Sequence, residues 1–313
     1  MTPGQLLRRF LIDPRAMVPP IRALLLGLVG CLLWAPALKA QWVEAPGTGW
    51  VEIQAAHHRT DTRFNPDGTI EPLFNEDSRS ITTTVRLTGA VGVVRGVDVW
   101  ADLPVHHLQF DDATRERTST GLGDLRFFLR AGPDVAGVTD LPLALAVRGG
   151  VKLPGNDFPV DAEIIPLTDG QRDWEMMLEV GRSLHPWPVY LQAWAGYRWR
   201  TVNDDIGRKP GDERFFYAAA GGRLPGDGVG RRLSWKLAVD GFFGTEPERR
   251  FSSFTVSLPN DVRELVQLLP SVGYAVGPGT LEVGARIPLH GQNLPAGPTV
   301  TLGYFWSWDR SLW

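Results

Sequence analysis

The sequence predicts an all-β protein that folds as a closed antiparallel transmembrane β-barrel, with about 12 strands in up-and-down topology. Three observations favour this fold over a soluble β-sandwich. Apolar and polar residues alternate from residue 50 onward, the alternating segments are long, and long and short connections follow each other in turn. The remaining features of the chain are interpreted within this fold.

The alternation of apolar and polar residues has the period of a β-strand. In one segment Arg86 separates Val85 from Leu87, and in another Arg126 separates Leu125 from Phe127. Successive side chains of a strand point to opposite faces, so such a segment has one apolar and one polar face. A helix would repeat its apolar residues every three to four positions instead. The pattern therefore indicates strands.

Twelve segments carry this pattern, and most of them have about ten residues or more. They are 50–59, 79–92, 97–109, 122–132, 141–153, 172–185, 188–201, 212–224, 232–243, 262–276, 279–289 and 298–309. Strands of soluble proteins usually have about five or six residues, whereas a tilted strand that crosses a bilayer needs roughly ten. Segment length therefore favours a membrane barrel.

The connections between these segments form a long set and a short set. With a periplasmic amino-terminal end, the odd-numbered connections are extracellular and long in such barrels, and the even-numbered ones are short. The odd set is 60–78, 110–121, 154–171, 202–211, 244–261 and 290–297, and the even set is 93–96, 133–140, 186–187, 225–231 and 277–278. We therefore expect the odd connections to be the longer set, and both ends of the barrel to be periplasmic.

Closure of the sheet follows from the bilayer, because an open edge in hydrocarbon leaves backbone groups without hydrogen bonds at a cost of several kcal/mol each. Apolar residues should then face lipid and charged residues the interior. Aromatic residues near strand ends fit two interfacial girdles. They are Trp50, Tyr190, Trp199, Tyr217, Trp235, Phe243, Tyr274, Trp306 and Trp308.

Residues 1–40 have the features of a cleavable signal peptide, and residues 41–313 are assigned to the barrel. A basic region (Arg8, Arg9, Arg15, Arg22) precedes the apolar run 23–34 and an A-x-A site at 35–37, with Ala40 as an alternative. Either Met1 or Met17 serves as the start. Two alternatives are an uncleaved anchor helix, for which the apolar run is short, and lipidation at Cys31.

Charge and cysteine content exclude several classes of protein. Residues 1–40 hold five of the 32 basic and one of the 35 acidic side chains, so the rest of the chain has a net charge of −7. This charge argues against a nucleic-acid partner. The one cysteine lies in the leader, so the barrel has no disulfide. No nucleotide-binding loop is present, and we expect no cofactor.

Three prolines and the terminal tryptophan depart from the regular pattern. Pro104, Pro270 and Pro288 lie within predicted strands, where proline removes a ladder hydrogen bond. Pro270 is in mid-strand, so we expect a bulge or bend there. Trp313 fits the aromatic carboxyl terminus by which the barrel-assembly machinery receives such strands, with a bulge near Asp309 or a short tail to correct its phase.

The interior of the barrel is where function is expected. The predicted lumen-lining residues are Arg86, Asp98, Asp102, Asp124, Arg126, Arg130, Arg148, Lys152, Glu175, Glu179, Arg198, Lys236, Asp240, Glu282 and Arg286. They either line a selective pore or pair with one another and fill the barrel. Twelve strands lie between filled eight-stranded barrels and open sixteen-stranded porins, so we expect a narrow lumen. A strip of Arg126, Arg130, Arg148 and Lys152 predicts a local preference for anions.

An enzymatic barrel, such as an outer-membrane lipid hydrolase, and a purely structural or adhesive barrel are the alternatives. The adjacent pairs His57-His58 and His106-His107 lie near the rim. Adjacent strand residues face opposite ways, so each pair offers at most one ligand to a common metal site, and we expect no metal. No serine or aspartate is paired with a histidine by sequence, and no G-x-S-x-G motif occurs. We therefore expect no enzymatic activity.

Four short motifs lie in the predicted strands and their ends: GLGDL at 121–125, GVKLPG at 150–155, VGRSL at 180–184 and IPLHGQN at 287–293. Together they resemble a family of outer-membrane transporter barrels named for the MetA pathway of phenol degradation. Residue 154 is followed directly by glycine, without the threonine usual in this family. The resemblance implies a passive outer-membrane channel for small molecules, aromatic or hydrophobic ones among them. The sequence leaves open whether loops 60–78 or 154–171 fold inward.

Overall fold

The computed structural model describes residues 43–74, 77–112, 114–138, 141–161, 163–251 and 254–309. The predicted signal peptide, with Cys31, and the terminal Trp313 lie outside these residues. Among the described residues, no helix is long and apolar enough to cross a membrane.

Twelve antiparallel strands form one sheet that closes on itself. The strands are β1 (Gly49–Thr60), β2 (Arg79–Val94), β3 (Val97–Asp111), β4 (two segments, Glu116–Leu122 and Leu125–Ala131), β5 (Ala144–Leu153), β6 (Asp173–Ser183), β7 (Val189–Arg200), β8 (Glu213–Arg223), β9 (Leu233–Gly244), β10 (Glu264–Val276), β11 (Gly279–Gln292) and β12 (Thr299–Trp308). Each strand pairs with its neighbours in sequence. β1 also pairs with β12, where Gly49 lies opposite Trp308. The predicted fold class is confirmed, and each predicted segment overlaps one strand.

The two faces of the wall have opposite chemistry. On the outer face, Leu178 and Val300 are each 59% exposed, whereas on the inner face Asp98 and Asp173 are 0% and Lys152 is 1% exposed. A soluble barrel would place the apolar residues inside, because burial of apolar surface stabilises a fold in water. This inverted wall matches the predicted arrangement of apolar residues outside and charged residues inside.

The two ends of the barrel carry different connections, and we call them the loop rim and the turn rim. The loop rim carries connections 61–78, 112–115, 154–172, 201–212, 245–263 and 293–298, and the turn rim carries 95–96, 132–143, 184–188, 224–232 and 277–278. Two small three-stranded sheets lie at the loop rim. In one, Thr62–Phe64 pairs with Ile70–Pro72 and Leu294–Pro295. In the other, Glu248–Arg250 pairs with Arg208–Lys209 and Thr255–Ser257.

The expected sorting of connections by length is wrong in detail. Strands β3 and β4 continue as a hairpin beyond the predicted ends, with Asp111 opposite Glu116, so that only residues 112–115 connect them. Connection 132–143 on the turn rim is longer, because it contains the 3₁₀ turn Pro133–Ala136. Residue alternation continues through the hairpin, and turn residues alone did not mark where it ends.

The prolines interrupt the ladders where they occur. Val105 pairs with Leu122 and Asp102 with Arg126, so β4 has one extra residue opposite Pro104. The break between the two β4 segments places Asp124 at this bulge. Gly123 donates its backbone N–H to the Pro104 carbonyl at 2.9 Å.

The ladder between β10 and β11 has a gap at Pro270 but no register shift there, so the expected bulge is absent. Pairing passes from Leu268 opposite Ile287 to Ser271 opposite Gly284 and skips Pro270. The register shift that this ladder contains lies between Val266 and Gln267: Val266 pairs with His290 and Gln267 with Pro288, so Leu289 is the extra residue. Proline has no N–H to donate, so the gap at Pro270 follows from its chemistry.

Three of the aromatic residues assigned to girdles lie inside the barrel instead. The Trp50 ring contacts the inward Trp100 ring edge-on at 4.8 Å, and Tyr217 stacks on Trp194 at 5.3 Å. Tyr190 lines an interior cavity. These residues occupy the inward phase of their strands, and an end-of-strand position does not by itself decide the face.

Candidate functional site

The fifteen predicted lumen residues all lie on the inner side of the wall, although whether they line a solute path stays a prediction. They fall into four groups. Nine line a central cavity (Arg86, Asp102, Arg126, Arg130, Arg148, Glu175, Glu179, Arg198 and Asp240). Asp124 lines a cavity at the loop rim, and Lys236 and Glu282 line one near the turn rim. Asp98, Lys152 and Arg286 contact other inward side chains.

Lys152 is the centre of a buried ion cluster below the loop rim. Its Nζ lies 3.0 Å from Asp124 Oδ2, 2.6 Å from Asp169 Oδ2 and 2.7 Å from Asp173 Oδ2. Asp173 comes from the adjacent strand β6, directly across the ladder. Asp124 reaches Lys152 because the β4 bulge displaces it from the regular register. A lysine with 1% exposed surface is tolerated because three carboxylates surround it.

Two arginines of β7 extend this cluster around the barrel. Arg200 forms ion pairs with Asp169, with Asp173 at 3.3 Å and with Glu213 at 3.0 Å. Arg198 lies two residues along the same face and pairs with Glu213 and with Glu175 at 2.9 Å. We call Lys152, Asp169, Asp173, Arg198, Arg200 and Glu213 the charged layer.

Asp169 is the only member of the charged layer that comes from a loop. The connection 154–172 enters the barrel mouth, where Asn203 donates to the Asp169 carbonyl at 2.9 Å. Burial raises the pKa of Asp169, but Arg200 and Lys152 lower it further, so the pKa of this carboxyl falls below its ordinary value. Asp169 is therefore charged and holds the loop inward.

The predicted basic strip exists as a row of adjacent side chains. Arg126 lies opposite Lys152, and Arg130 lies opposite Arg148, on β4 and β5. Acidic residues neutralise most of it, since Arg148 Nε lies 2.6 Å and Arg130 Nη1 3.3 Å from Glu179. Only Arg126 has a loose partner, Glu175, at 3.6 Å. The strip as a whole therefore does not carry an uncompensated positive charge.

Aromatic rings surround the charged groups in the middle of the barrel. The Arg148 guanidinium carbon lies 4.4 Å from the Trp100 ring centre, 5.2 Å from Phe128 and 5.9 Å from Trp194. Arg198 lies 5.3 Å from the Phe215 ring centre. Cation–π attraction strengthens when both groups are removed from water, so these arginines are fixed by packing as well as by charge.

Two cavities lie on either side of the charged layer. The first, which we call the vestibule, has a volume of about 620 Å³ and is lined by loop-rim residues together with Asp169, Arg200 and Glu213. The second, which we call the aromatic chamber, has a volume of about 470 Å³ and contains Glu175 and Arg198 in its wall. Its other lining residues include Trp100, Phe128, Trp194, Phe215 and Phe216. The charged layer therefore separates two spaces of solute size.

A short segment before β1 crosses the turn rim and contacts the interior. Glu44 donates its backbone N–H to Asp98 Oδ2 at 2.9 Å, and Trp100 donates its indole N–H to Asp98 Oδ1 at 2.8 Å. Arg130 completes the ion pair with Asp98. The segment is fixed by Gly47, whose N–H donates to the Gly92 carbonyl at 2.9 Å. It narrows the barrel from the side opposite to the loop 154–172.

The rim histidines each contact a threonine hydroxyl on a neighbouring strand. The four pairs are His57 with Thr83 (3.0 Å), His58 with Thr299 (3.2 Å), His106 with Thr84 (2.8 Å) and His107 with Thr120 (2.7 Å). Within the described ranges, no group of three or more His, Cys, Asp or Glu residues is arranged to hold a metal ion. The absence of enzymatic activity stays a prediction.

Four members of the charged layer were absent from the predicted set. Three of them lie at the next inward-facing position of their strands: Asp173 beside Glu175 on β6, Arg200 beside Arg198 on β7, and Glu213 on β8. The same alternation could have identified them. Asp169 lies in an irregular loop, and no periodic signal identifies it.

No protein-family profile and no curated protein matches the chain. Among solved structures, the chain is similar to the COG4313 outer membrane channel from Pseudomonas putida F1, with a TM-score of 0.67 and 13% identity, over 86% of this chain and 97% of that one. It also matches the CymD monoaromatic hydrocarbon channel (TM-score 0.40, 9% identity, 85% and 90% coverage) and the β domain of the Bordetella autotransporter BrkA (0.40, 13%, 83% and 100%). At this identity, the first likeness supports the barrel fold, and the other two carry no further argument.

Proposed function

We propose that this protein is an outer-membrane channel for the passive uptake of small molecules, aromatic ones among them. The observation that carries the proposal is the pair of interior cavities, about 620 and 470 Å³, stacked on the two sides of the charged layer. A structural or adhesive barrel has no need of solute-sized space within its wall. Facilitated diffusion requires such sites, provided that the solute binds weakly enough to leave.

The outward face supports a membrane location. Its exposed apolar residues include Leu178, Val283 and Leu302, at 59%, 52% and 49% exposure. Exposed apolar patches of this extent are rare on soluble monomers. The outer wall therefore contacts lipid, and the aromatic strand β12 is the element that the barrel-assembly machinery receives.

The loop 154–172 is the element that regulates passage between the two cavities. Its Asp169 closes the charged layer by pairing with Lys152 and Arg200. Beside these ion pairs, Asn203 donates to the Asp169 carbonyl at 2.9 Å and the Asp169 N–H donates to Asp124 Oδ1 at 3.3 Å. Among the described residues, no ladder pairing fixes Asp169 to a strand. Displacement of this one loop would therefore connect the vestibule with the aromatic chamber.

Planar-bilayer recording of the purified protein tests the channel. We expect discrete current steps, and the variant Asp169→Ala should increase their amplitude because the loop loses its anchor. Asp157→Ala is the matched control, since Asp157 lies exposed on the same loop. Complete absence of ion current from correctly folded protein would exclude the channel, and equal currents for the two variants would exclude the gating role of Asp169.

A further inference from the structure

Two arginines in the wall of the aromatic chamber have unused hydrogen-bonding capacity. Arg86 Nε lies 3.5 Å from Asp102 Oδ1, and Arg126 Nε lies 3.6 Å from Glu175 Oε1. Across the described part of the chain, neither guanidinium has a partner at hydrogen-bond distance and angle. Both side chains are about one-third exposed, 33% for Arg86 and 31% for Arg126. Their exposed donors face the chamber, because both residues line it.

The acidic neighbours of these arginines are occupied elsewhere. Glu175 accepts from Arg198 Nε at 2.9 Å, a distance typical of a charge-assisted hydrogen bond. Asp102 accepts from the Thr88 hydroxyl at 3.3 Å and lies across the β3–β4 ladder from Arg126. Two guanidinium groups thus flank Asp102, so the local charge beside the chamber is positive.

Aromatic rings form two parts of the chamber wall. Trp100 and Phe128 lie on the wall formed by β3 and β4, and Trp194 and Phe215 lie on the wall formed by β7 and β8. Rings placed between such walls are bound by offset or edge-to-face contacts. The space of about 470 Å³ admits a ligand with a single ring.

We propose that the aromatic chamber binds a planar aromatic carboxylate, with Arg86 and Arg126 donating to the carboxylate and the aromatic wall enclosing the ring. The planar guanidinium matches a carboxylate in geometry and forms paired hydrogen bonds with it. This inference rests on the proposed channel and specifies the chemical class of its solute. In this proposal the chamber selects its solute by the negative charge of the carboxylate as well as by the aromatic ring.

The opposite wall of the chamber offers an alternative, a site for a cationic ligand, which the experiment must distinguish from the carboxylate site. Asp240 lines the same chamber, and its Oδ1 is buried without a hydrogen bond among the described residues. A cationic ligand would use Asp240 rather than the arginines. Sodium benzoate, benzyl alcohol and benzylamine share a ring and differ in charge, so they distinguish an anion site from an apolar and from a cation site.

Isothermal titration calorimetry of the detergent-solubilised protein measures binding without requiring conduction. We expect benzoate to bind at least about tenfold more tightly than benzyl alcohol or benzylamine, as the loss of hydrogen bonds to a charged group implies. Arg126→Gln and Arg86→Gln should each weaken benzoate by about tenfold and leave benzyl alcohol unchanged. Arg95→Gln is the control, because Arg95 is exposed in the turn 95–96.

Each other outcome overturns the proposal. Equal affinity for the three probes, tightest binding of benzylamine, or absence of saturable benzoate binding would each exclude an aromatic-carboxylate site. Unchanged benzoate affinity in both folded arginine variants would exclude Arg86 and Arg126 as its ligands. A protein that binds benzoate but passes no ion current would instead contradict the channel, so the two failures are distinguishable.

Discussion

Replacement of Lys152 by methionine tests whether the charged layer stabilises the barrel. The substitution keeps the length of the side chain and removes its charge. Three carboxylates lie within 3.0 Å of Lys152 Nζ, and Asp173 among them is 0% exposed. Without the lysine, Asp173 still has Arg200 at 3.3 Å as a positively charged partner. Asp124 loses its ion pair with Lys152 and is therefore the carboxylate most affected.

The expected cost follows from the burial of these groups. Removal of one partner from a buried ion pair typically destabilises a protein by about 3–5 kcal/mol. We expect Lys152→Met to lower the free energy of unfolding by about 3 kcal/mol or more, since Lys152 is almost fully buried. Lys236→Met is the control, because Lys236 has one partner, Glu282, and both side chains are partly exposed, at 29% and 27%. Its cost should be about 1 kcal/mol or less.

Urea unfolding in lipid vesicles, followed by tryptophan fluorescence, measures both variants. The double variant Lys152→Met with Asp124→Asn should recover part of the loss, because it removes the carboxylate charge that Lys152→Met leaves uncompensated. If Lys152→Met and Lys236→Met destabilise the barrel equally, the reasoning that burial sets the value of this lysine is refuted.

Three further outcomes can be measured on the same preparation. Because the pKa of Asp169 is lowered, its carboxylate is charged and its ion pairs are present above the ordinary pKa of aspartate; they are lost only as the pH falls through the lowered value. The ion current should therefore be the same at pH 7 and about pH 5. Leu178→Arg on the outer face should reduce stability by about 2–4 kcal/mol in vesicles, and Leu178→Ala much less. Gly150→Val should impair folding measured by heat-modifiable electrophoretic migration, because a Cβ there would lie 2.3 Å from the Phe127 carbonyl. Gly149→Ala is the control, since a Cβ there meets only the Glu175 carbonyl, at 3.8 Å.

The fold could be predicted because one physical rule repeats along the whole chain. Each strand that crosses lipid alternates apolar and polar residues, so Leu178 and Glu179 are assigned to opposite faces without knowledge of their neighbours. The ends of strands were less certain. The β3–β4 hairpin extends beyond the predicted boundary, because alternation continues where the strands leave the wall.

The interior could be predicted only as a set of inward residues. Alternation identifies Arg148 as inward, but it does not show that Glu179 neutralises it and that Trp100 stacks on it. Such contacts depend on register and curvature across several strands. The anion preference expected from the basic strip stays a prediction. Of the two loosely paired arginines, Arg126 belongs to the strip and Arg86 does not.

Asp169 marks the limit of prediction from sequence. The path of an irregular loop is set by contacts with distant residues, here Lys152 and Asn203. Nothing in the composition of 154–172 distinguishes an inward aspartate from the exposed Asp157. The inward path of this loop is therefore a property of the three-dimensional fold and not of its local sequence.

Joining the first strand to the last has a consequence for biosynthesis. Gly49 and Trp308 lie opposite each other across the seam, so the ring is completed only when nearly the whole chain is available. Contacts between residues so distant in sequence form slowly. Until then both terminal strands present unsatisfied edges that invite aggregation. A chain that ends before β12 would therefore form an open, aggregation-prone sheet and not a smaller closed barrel.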